Sequence, residues 1–546
     1  MALSTIAIYL YDLISSNLLT SEYVQQKVGG YRKYKYEVLR LDDRTSNTPS
    51  GIDWEHGVQC SKVICEPQEL ERTIDWKQGL AIALGVPLLI LPSIGYLTSY
   101  VWSFAIFIWA ATILLGFLQN LGYGELATVF PKAAGLPGYT QTVFGSSAKN
   151  GDNKKYKVGK FIGGFSAWSY WFGWSPVLAI YAILISSYLQ GLIPALGSVS
   201  ETLLSLIVGA VIFGFLAVIN SKGLKNGATA GFILALISLV PLMIITIAPF
   251  VTGDFHVSNI TNSWFPTDWS WDMEHILILL GLFAMAEWSA AAWETAAIYG
   301  PEYKKPNTDT PKALFVCGAI CLVLYVLVQT SVIGTLGVEG VLAEPISPML
   351  PLANLSLGPI GATISIIMLI GAMLLIIQTA FLSSARSIYS MSVEGNLPAV
   401  FSKLNSHGHP MNAMIADALF NMCLILLGTP TAILAASAIG YICANGISLY
   451  TYVKVRNDPE LSKLERPFKA PRGWKYVAFV TAILNIPFFL VGIIYLNSLE
   501  LGWNTTGIGF FALCLFIPLW FYSQHENRLS VKQEFFSEPE PVPAEM

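Results

Sequence analysis

From residue 76 onward the chain repeats one pattern: a long apolar run, then a short polar break. A membrane-spanning helix needs about 20 predominantly apolar residues. The pattern predicts twelve such helices, at 79–99, 102–128, 162–190, 202–219, 228–251, 275–299, 312–336, 358–392, 411–428, 430–453, 475–497 and 505–523. Three of them carry interruptions. The first contains Gly85, Pro87 and Pro92. The sixth has Glu287 near its middle, beside Trp288, with Trp293 and Glu294 further on. The eighth runs long and turns polar at its end, through Ser383, Ser384 and Arg386. The expected fold class is an all-α membrane protein: a tail over 1–75, a twelve-helix domain over 76–525 and a second tail over 526–546.

Charge placement changes the picture next. If the first run starts in the cytoplasm, the basic residues from Lys77 onward all fall on that side. They sit at Lys77 and Lys132, within 149–160, at Lys222 and Lys225, and at Lys304, Lys305 and Lys312. Arg386, Lys403, the stretch 454–475, Arg528 and Lys532 complete the set. The opposite loops carry carboxylates, such as Glu201, Asp254, Asp272, Glu339 and Glu500, but no Lys or Arg. Short basic loops stay in the cytoplasm. The asymmetry therefore predicts two cytoplasmic termini in a multi-pass protein of the plasma membrane.

Composition agrees. Hydrophobic residues make up 54% and charged residues 12%, against about 25% charged in soluble domains. The seven cysteines show neither a CxxC nor a His pair at ligand spacing, so no metal site is expected. There is no basic n-region with a cleavage site in 1–19. The aromatic-basic cluster at 31–36 offers a contact with anionic lipid. Asn259-Ile260-Thr261, in the longest loop, is a glycosylation acceptor pattern.

The chemistry lies at the interruptions. Proline lacks an N–H and frees a carbonyl one turn earlier. In hydrocarbon, irregular backbone survives only where protein or a water-filled cavity covers it. Bared carbonyls can hold a cation, and bared amides an anion. A carboxylate near the bilayer centre costs at least about 2.5 kcal/mol, so Glu287 is expected to face a cavity or a partner. It could meet an ammonium group or carry a proton. Trp288 and Trp293 offer an aromatic face. Glu125 and Glu294, nearer the helix ends, are expected to anchor loops or gates. Two interrupted helices five spans apart are the sequence pointer to an inverted-repeat transporter with a midplane site. No P-loop, GxSxG or HExxH is present, so an enzyme is not expected, and the basic residues give no support to nucleic-acid binding.

Four segments add a family resemblance. Gly124-Glu125-Leu126-Ala127, with Phe130-Pro131-Lys132 and Gly135 to Tyr139, follows helix two. Asn220-Ser221-Lys222-Gly223 lies between helices four and five. Glu302-Tyr303-Lys304-Lys305-Pro306, with Pro311-Lys312-Ala313, follows helix six. Arg386-Ser387-Ile388-Tyr389-Ser390-Met391, with Gly395 to Pro398 and Pro410 to Ala413, follows helix eight. In this order they resemble the amino acid–polyamine–organocation superfamily of permeases. The resemblance implies a leucine-transporter-like fold: inverted repeats over about 79–251 and 275–453, then two extra helices over 475–523. It also implies alternating access around a substrate held where helices one and six unwind.

The family's glycine-serine-glycine stretch corresponds to Gly85, Val86 and Pro87, a departure at two of three positions. Many sodium-independent members have a Lys where this chain has Ser238. Ser383 and Ser384 lie where sodium-coupled carriers place hydroxyl ligands. The site expected from these readings comprises Gly85, Val86, Pro87, Leu88, Phe283, Ala284, Glu287, Trp288 and Trp293, with Trp168 and Tyr170 completing a wall. Ser238, Ser383, Ser384 and Glu287 are the ion-coupling candidates, for sodium or protons, with no other cofactor. The expected substrate is an amino acid, the alternative an amine, polyamine or other organocation; a channel or substrate sensor is the reading from a different class.

Overall fold

Two of the three predicted interruptions, those in the first and sixth helices, are places where a helix breaks; the third, at Ser383, Ser384 and Arg386, lies within a helix that runs on to Val393 and is kinked only at Gly358. The computed structural model describes residues 72, 74–83, 85–131, 133, 135–145, 153–222, 227–406, 409–426, 429–499 and 502–536; the side chains of 81, 82, 153–155, 222–238 and 528–536 lie outside the description. Most of the tail 1–75, with its aromatic-basic cluster, therefore lies outside the described residues, as do 537–546. Gln68–Met546 form one unit.

The helices are α1 (Trp76–Ala83), α2 (Ile94–Val101), α3 (Ala105–Val129), α4 (Gly135–Gly145), α5 (Asn153–Trp174), α6 (Val177–Leu192), α7 (Glu201–Lys222) and α8 (Gly227–Thr252). They continue with α9 (Met273–Ala290), α10 (Pro306–Ala343), α11 (Met349–Val393), α12 (Met411–Ile425) and α13 (Pro430–Asn457). The last four are α14 (Trp474–Ile483), α15 (Leu490–Leu499), α16 (Gly502–Cys514) and α17 (Phe516–Phe536). The only extended pairing among the described residues is an isolated bridge between Ile74 and Tyr303. Ile74 N–H donates to Glu302 O at 3.2 Å, and Lys304 N–H to Ile74 O at 2.8 Å.

Nine stretches among the described residues are long and apolar enough to cross a membrane, and two shorter apolar helices cover 239–252 and 411–425. The chain is thus an all-helical, multi-pass membrane protein. Burial divides the helices. In an apolar 18-residue window of each stretch, 89% of the residues are buried in Pro430–Asn457 and 83% in Tyr156–Leu192, against 33% in Glu201–Ser221. The first two form the centre, and the third leaves most of its apolar surface for lipid.

Several boundaries differ from expectation for local reasons. The third predicted helix is two, parted at Ser175 and Pro176, because Pro176 has no N–H to continue the ladder. Gly337 and Gly358, both at φ 68°, kink α10 and α11; the predicted end at 336 falls one residue before the first, and the predicted start at 358 falls on the second. The last helix continues past 526 to Phe536. Where α9 crosses α15 there is no room for side chains: a Cβ on Gly281 would lie 2.6 Å from Gly492 O. Small residues allow such close backbone approach between membrane helices. Asp272 caps α9, accepting from His275 N–H at 2.9 Å. That backbone N–H holds the Asp272 carboxyl below its ordinary range. The Asn259 amide donates to Gly334 O at 3.0 Å, so the acceptor pattern there is engaged within the fold.

Candidate functional site

The first interruption is a 3-10 segment, Val86–Ser93, between α1 and α2, entirely buried. Pro87 and Pro92 deny it α-helical hydrogen bonding, and tyrosines take up the freed carbonyls. Tyr325 of α10 donates to Val86 O at 2.9 Å, and Tyr181 of α6 to Leu88 O at 2.7 Å. Gly85 is partly exposed, and a Cβ there would find its nearest neighbour, Ile376, at 3.6 Å.

The second interruption follows Ala290, where α9 gives way to a 3-10 segment, Ala292–Glu302. The two breaks touch. The hydroxyls of Ser93 and Ser289 are 3.3 Å apart, and Tyr325 also donates to Ser289 O at 2.7 Å. One hydroxyl thus ties both broken helices to α10.

The predicted site residues fall into separate groups. Glu287, fully buried, looks away from the first break. Its Oε1 accepts from Gln119 Nε2 of α3 at 2.5 Å and Asn445 Nδ2 of α13 at 2.7 Å. Tyr123 donates to Asn445 Oδ1. Asn445 also donates to Asn485 Oδ1 at 3.3 Å, and Asn485 sits in a π-helical turn, Leu484–Phe489, between α14 and α15. Glu287 Oε2 has no partner. Trp288 donates to Gly173 O at 2.5 Å and stacks on Trp174.

Trp293 fills the space beside Gly116, Phe117 and Gly318, where it packs α3 against α10. Phe283 stacks on Phe489, while Ala284 is buried in the core. Trp168 donates to Ala512 O at 2.8 Å and so faces α16. Among the coupling candidates, Ser384 donates to Asp417 Oδ1 at 2.6 Å. Ser383 hydrogen-bonds with Tyr299. Ser238 belongs to α8, and its side chain lies outside the description.

Two residues gain weight from the structure. Glu294, just past the second break and fully buried, accepts from Tyr170 at 3.3 Å, and its Oε2 is unpartnered. Its position two residues into the segment after α9 was readable; what hid it was the missing evidence of where helix six breaks. Asp417 is the other. A lone Asp in the apolar run 411–428 was the available signal. Glu125, by contrast, meets the loop-anchoring expectation: Arg456 pairs with it, Arg466 Nε lies 3.1 Å away, and Ala470 N–H donates to it at 2.9 Å. Among the described residues no three His, Cys, Asp or Glu side chains gather as a metal site requires.

A many-helix membrane bundle in which two broken helices meet, surrounded by uncompensated buried carboxylates, has the build of a transporter. Residues 74–517 match the family model described as amino acid permease, and the chain belongs to that family. Known proteins align over most of their own length. The uncharacterized amino acid permease YecA of Bacillus subtilis is 24% identical over 404 residues, covering 70% of this chain and 85% of that protein. The amino-acid permease RocC of the same species is 25% identical over 355 residues, covering 63% and 70%. The arginine/ornithine antiporter ArcD1 of Lactococcus lactis is 21% identical over 414 residues, covering 69% and 76%. The function is therefore amino acid transport, and the family's members are transporters rather than enzymes.

Proposed function

We propose that the protein is a secondary active amino acid carrier of the plasma membrane, with twelve crossings, cytoplasmic termini and a leucine-transporter-like arrangement of two inverted five-helix repeats. Substrate binds where helices one and six unwind, and outward and inward states alternate around it. The observation that carries this reading is the meeting of the first 3-10 segment with the last turn of α9, just before the second break, through Ser93, Ser289 and Tyr325. Gly85, Val86, Pro87 and Leu88 form one wall, and Trp288 and Glu294 approach from the other. Glu287, with Phe283, Ala284 and Trp293 around it, lies behind that wall and serves as proton acceptor.

Protons suit the coupling role better than sodium. The hydroxyls of Ser383 and Ser384 already have partners in Tyr299 and Asp417, and Asp417 offers a carboxylate for a proton. Accumulation of labelled amino acids in proteoliposomes, against their gradient and without sodium, tests the reading. Failure to accumulate any of them under an inward acid or sodium gradient would sink it.

A second reading has one observation in its favour. Glu287 and Glu294 are buried with only neutral hydrogen-bond partners, which suits a cationic substrate group. Competition by an amine lacking a carboxylate separates an organocation carrier from a strict amino acid carrier.

A further inference from the structure

The Pro176 break in the third crossing is filled from α12. In a continuous helix Ala179 N–H would bond to Ser175 O; here it donates to Asn421 Oδ1 at 3.2 Å. Asn421 Nδ2 in turn donates to Ser175 Oγ at 2.9 Å. One turn earlier on α12 stands Asp417, fully buried. Three donors, from α5, the Pro176 break and α11, converge on a single one of its oxygens. Trp171 Nε1 approaches Oδ1 at 3.2 Å, Ser175 Oγ at 2.7 Å and Ser384 Oγ at 2.6 Å. The other oxygen, Oδ2, is buried and has no partner.

We propose that Asp417 is a proton-binding site, separate from the substrate cavity, in which Oδ2 takes up and releases one proton during transport. The proposal rests on the transport reading above.

An ionised carboxylate in this place, with no cation beside it, is costly. A proton on Oδ2 removes that cost and leaves Oδ1 as the acceptor of all three donors. When the proton leaves for water, the same three donors stabilise the anion, so both forms have a structural home. A metal cation fits less well. Hydrogens rather than lone pairs face Oδ1, Ser175 Oγ already accepts from Asn421, and a hard cation needs several oxygen ligands.

No charged side chain is among the partners of Asp417 in the described residues. Of the titratable groups on the elements packed around it, Tyr170 of α5 faces Glu294 and Tyr181 of α6 faces Leu88 O. Tyr188 of α6 and Glu201 of α7 lie toward the far ends of their helices. Arg386 of α11 acts on Tyr299 and Glu302, Tyr389 stands beyond it toward the end of that helix, and Lys160 of α5 acts on Glu394. The turn Ala399–Ser402 brings no titratable side chain, and on α12 itself only Cys423 is titratable besides Asp417. The proton affinity of the site is therefore set by its burial first, and then by its three neutral donors.

Infrared difference spectra of the purified native protein, with pH as the only variable, test the site without knowledge of the substrate. The carbonyl stretch of a protonated carboxylic acid should appear as pH falls between about 9 and 5. Asp417→Asn should lack one component of the band, and any component left should be the one that Glu287→Gln removes. Ser384→Ala keeps the acid but removes a donor that favours the anion, so it should move the midpoint upward by up to about one pH unit. A band in the native protein that ignores pH over that range, or one left undiminished by Asp417→Asn, overturns the proposal. So does a midpoint unmoved by Ser384→Ala. Should Asp417→Asn fail to give a single species by size exclusion, Ser384→Ala alone decides. In proteoliposomes, uptake of a labelled mixture of L-amino acids under an inward acid gradient should fall at least about tenfold in Asp417→Asn. If the native protein moves none of the mixture, the transport reading fails while the spectra still judge the proton site.

Discussion

Glu125 and Glu287 are both buried carboxylates inside the same bundle, and their surroundings could hardly differ more. Glu125 has two guanidinium groups, a backbone N–H and a tyrosine hydroxyl. Glu287 has only amide side chains, those of Gln119, Asn445 and Asn485, and no cation. A carboxylate that only has to hold a loop can be given its countercharge permanently. One that must receive a charge during a cycle has to be left without it. The comparison teaches that the partner set, rather than burial, separates an anchor from a working group.

The largest effect should come from breaking the anchor. Glu125→Ala leaves Arg456 and Arg466, each 8% exposed, without their counter-ion. Removing one partner of a buried pair costs about 3–5 kcal/mol, so a marked fall in the thermal midpoint of the purified protein is expected. An unchanged midpoint would show that Glu125 is no anchor.

Next is Tyr325→Phe, which removes the hydroxyl shared by the two breaks and leaves two buried carbonyls short of a donor. The cost is about 1–3 kcal/mol, read as lower thermal stability that bound substrate partly restores. Equal stability with and without the hydroxyl would detach Tyr325 from both breaks.

Glu287→Gln should do the opposite of the anchor variant. The amide keeps an acceptor for Gln119 and Asn445, so folding survives, while uptake falls at least about tenfold, some 1.4 kcal/mol. Normal uptake would place Glu287 with the structural groups. The smallest effect is expected from Pro87→Gly, which restores an amide donor at the first break. A shift of a few-fold toward carboxylated substrates, measured by competition, is the outcome to look for; an unaltered profile removes Pro87 from selectivity.

Long-range character was legible in the sequence because a bilayer demands long apolar runs, and glycine and proline mark where they fail. The breaks at 85–93, Gly337 and Gly358 follow directly from these residues. What could not be read was which way each side chain faces. Over an apolar helix with polar residues scattered around it, nothing in the spacing says that Glu287 turns to α3 and α13, or that Trp293 wedges against Gly116 and Gly318. Nor could the sequence tell that Ser384 would spend its hydroxyl on Asp417, a contact across 33 positions. Pro176 was visible but unread, since a single proline is compatible with a mere bend. Its importance lies in Asn421 and Asp417, which belong to another crossing.

The backbone tie between Ile74 and the stretch 302–304 has a mechanical consequence. It joins the lead-in of the first broken helix to the tail of the second, so the two form a single linkage with one shared pivot. A push delivered to either is felt by both, and neither can swing alone without tearing that knot.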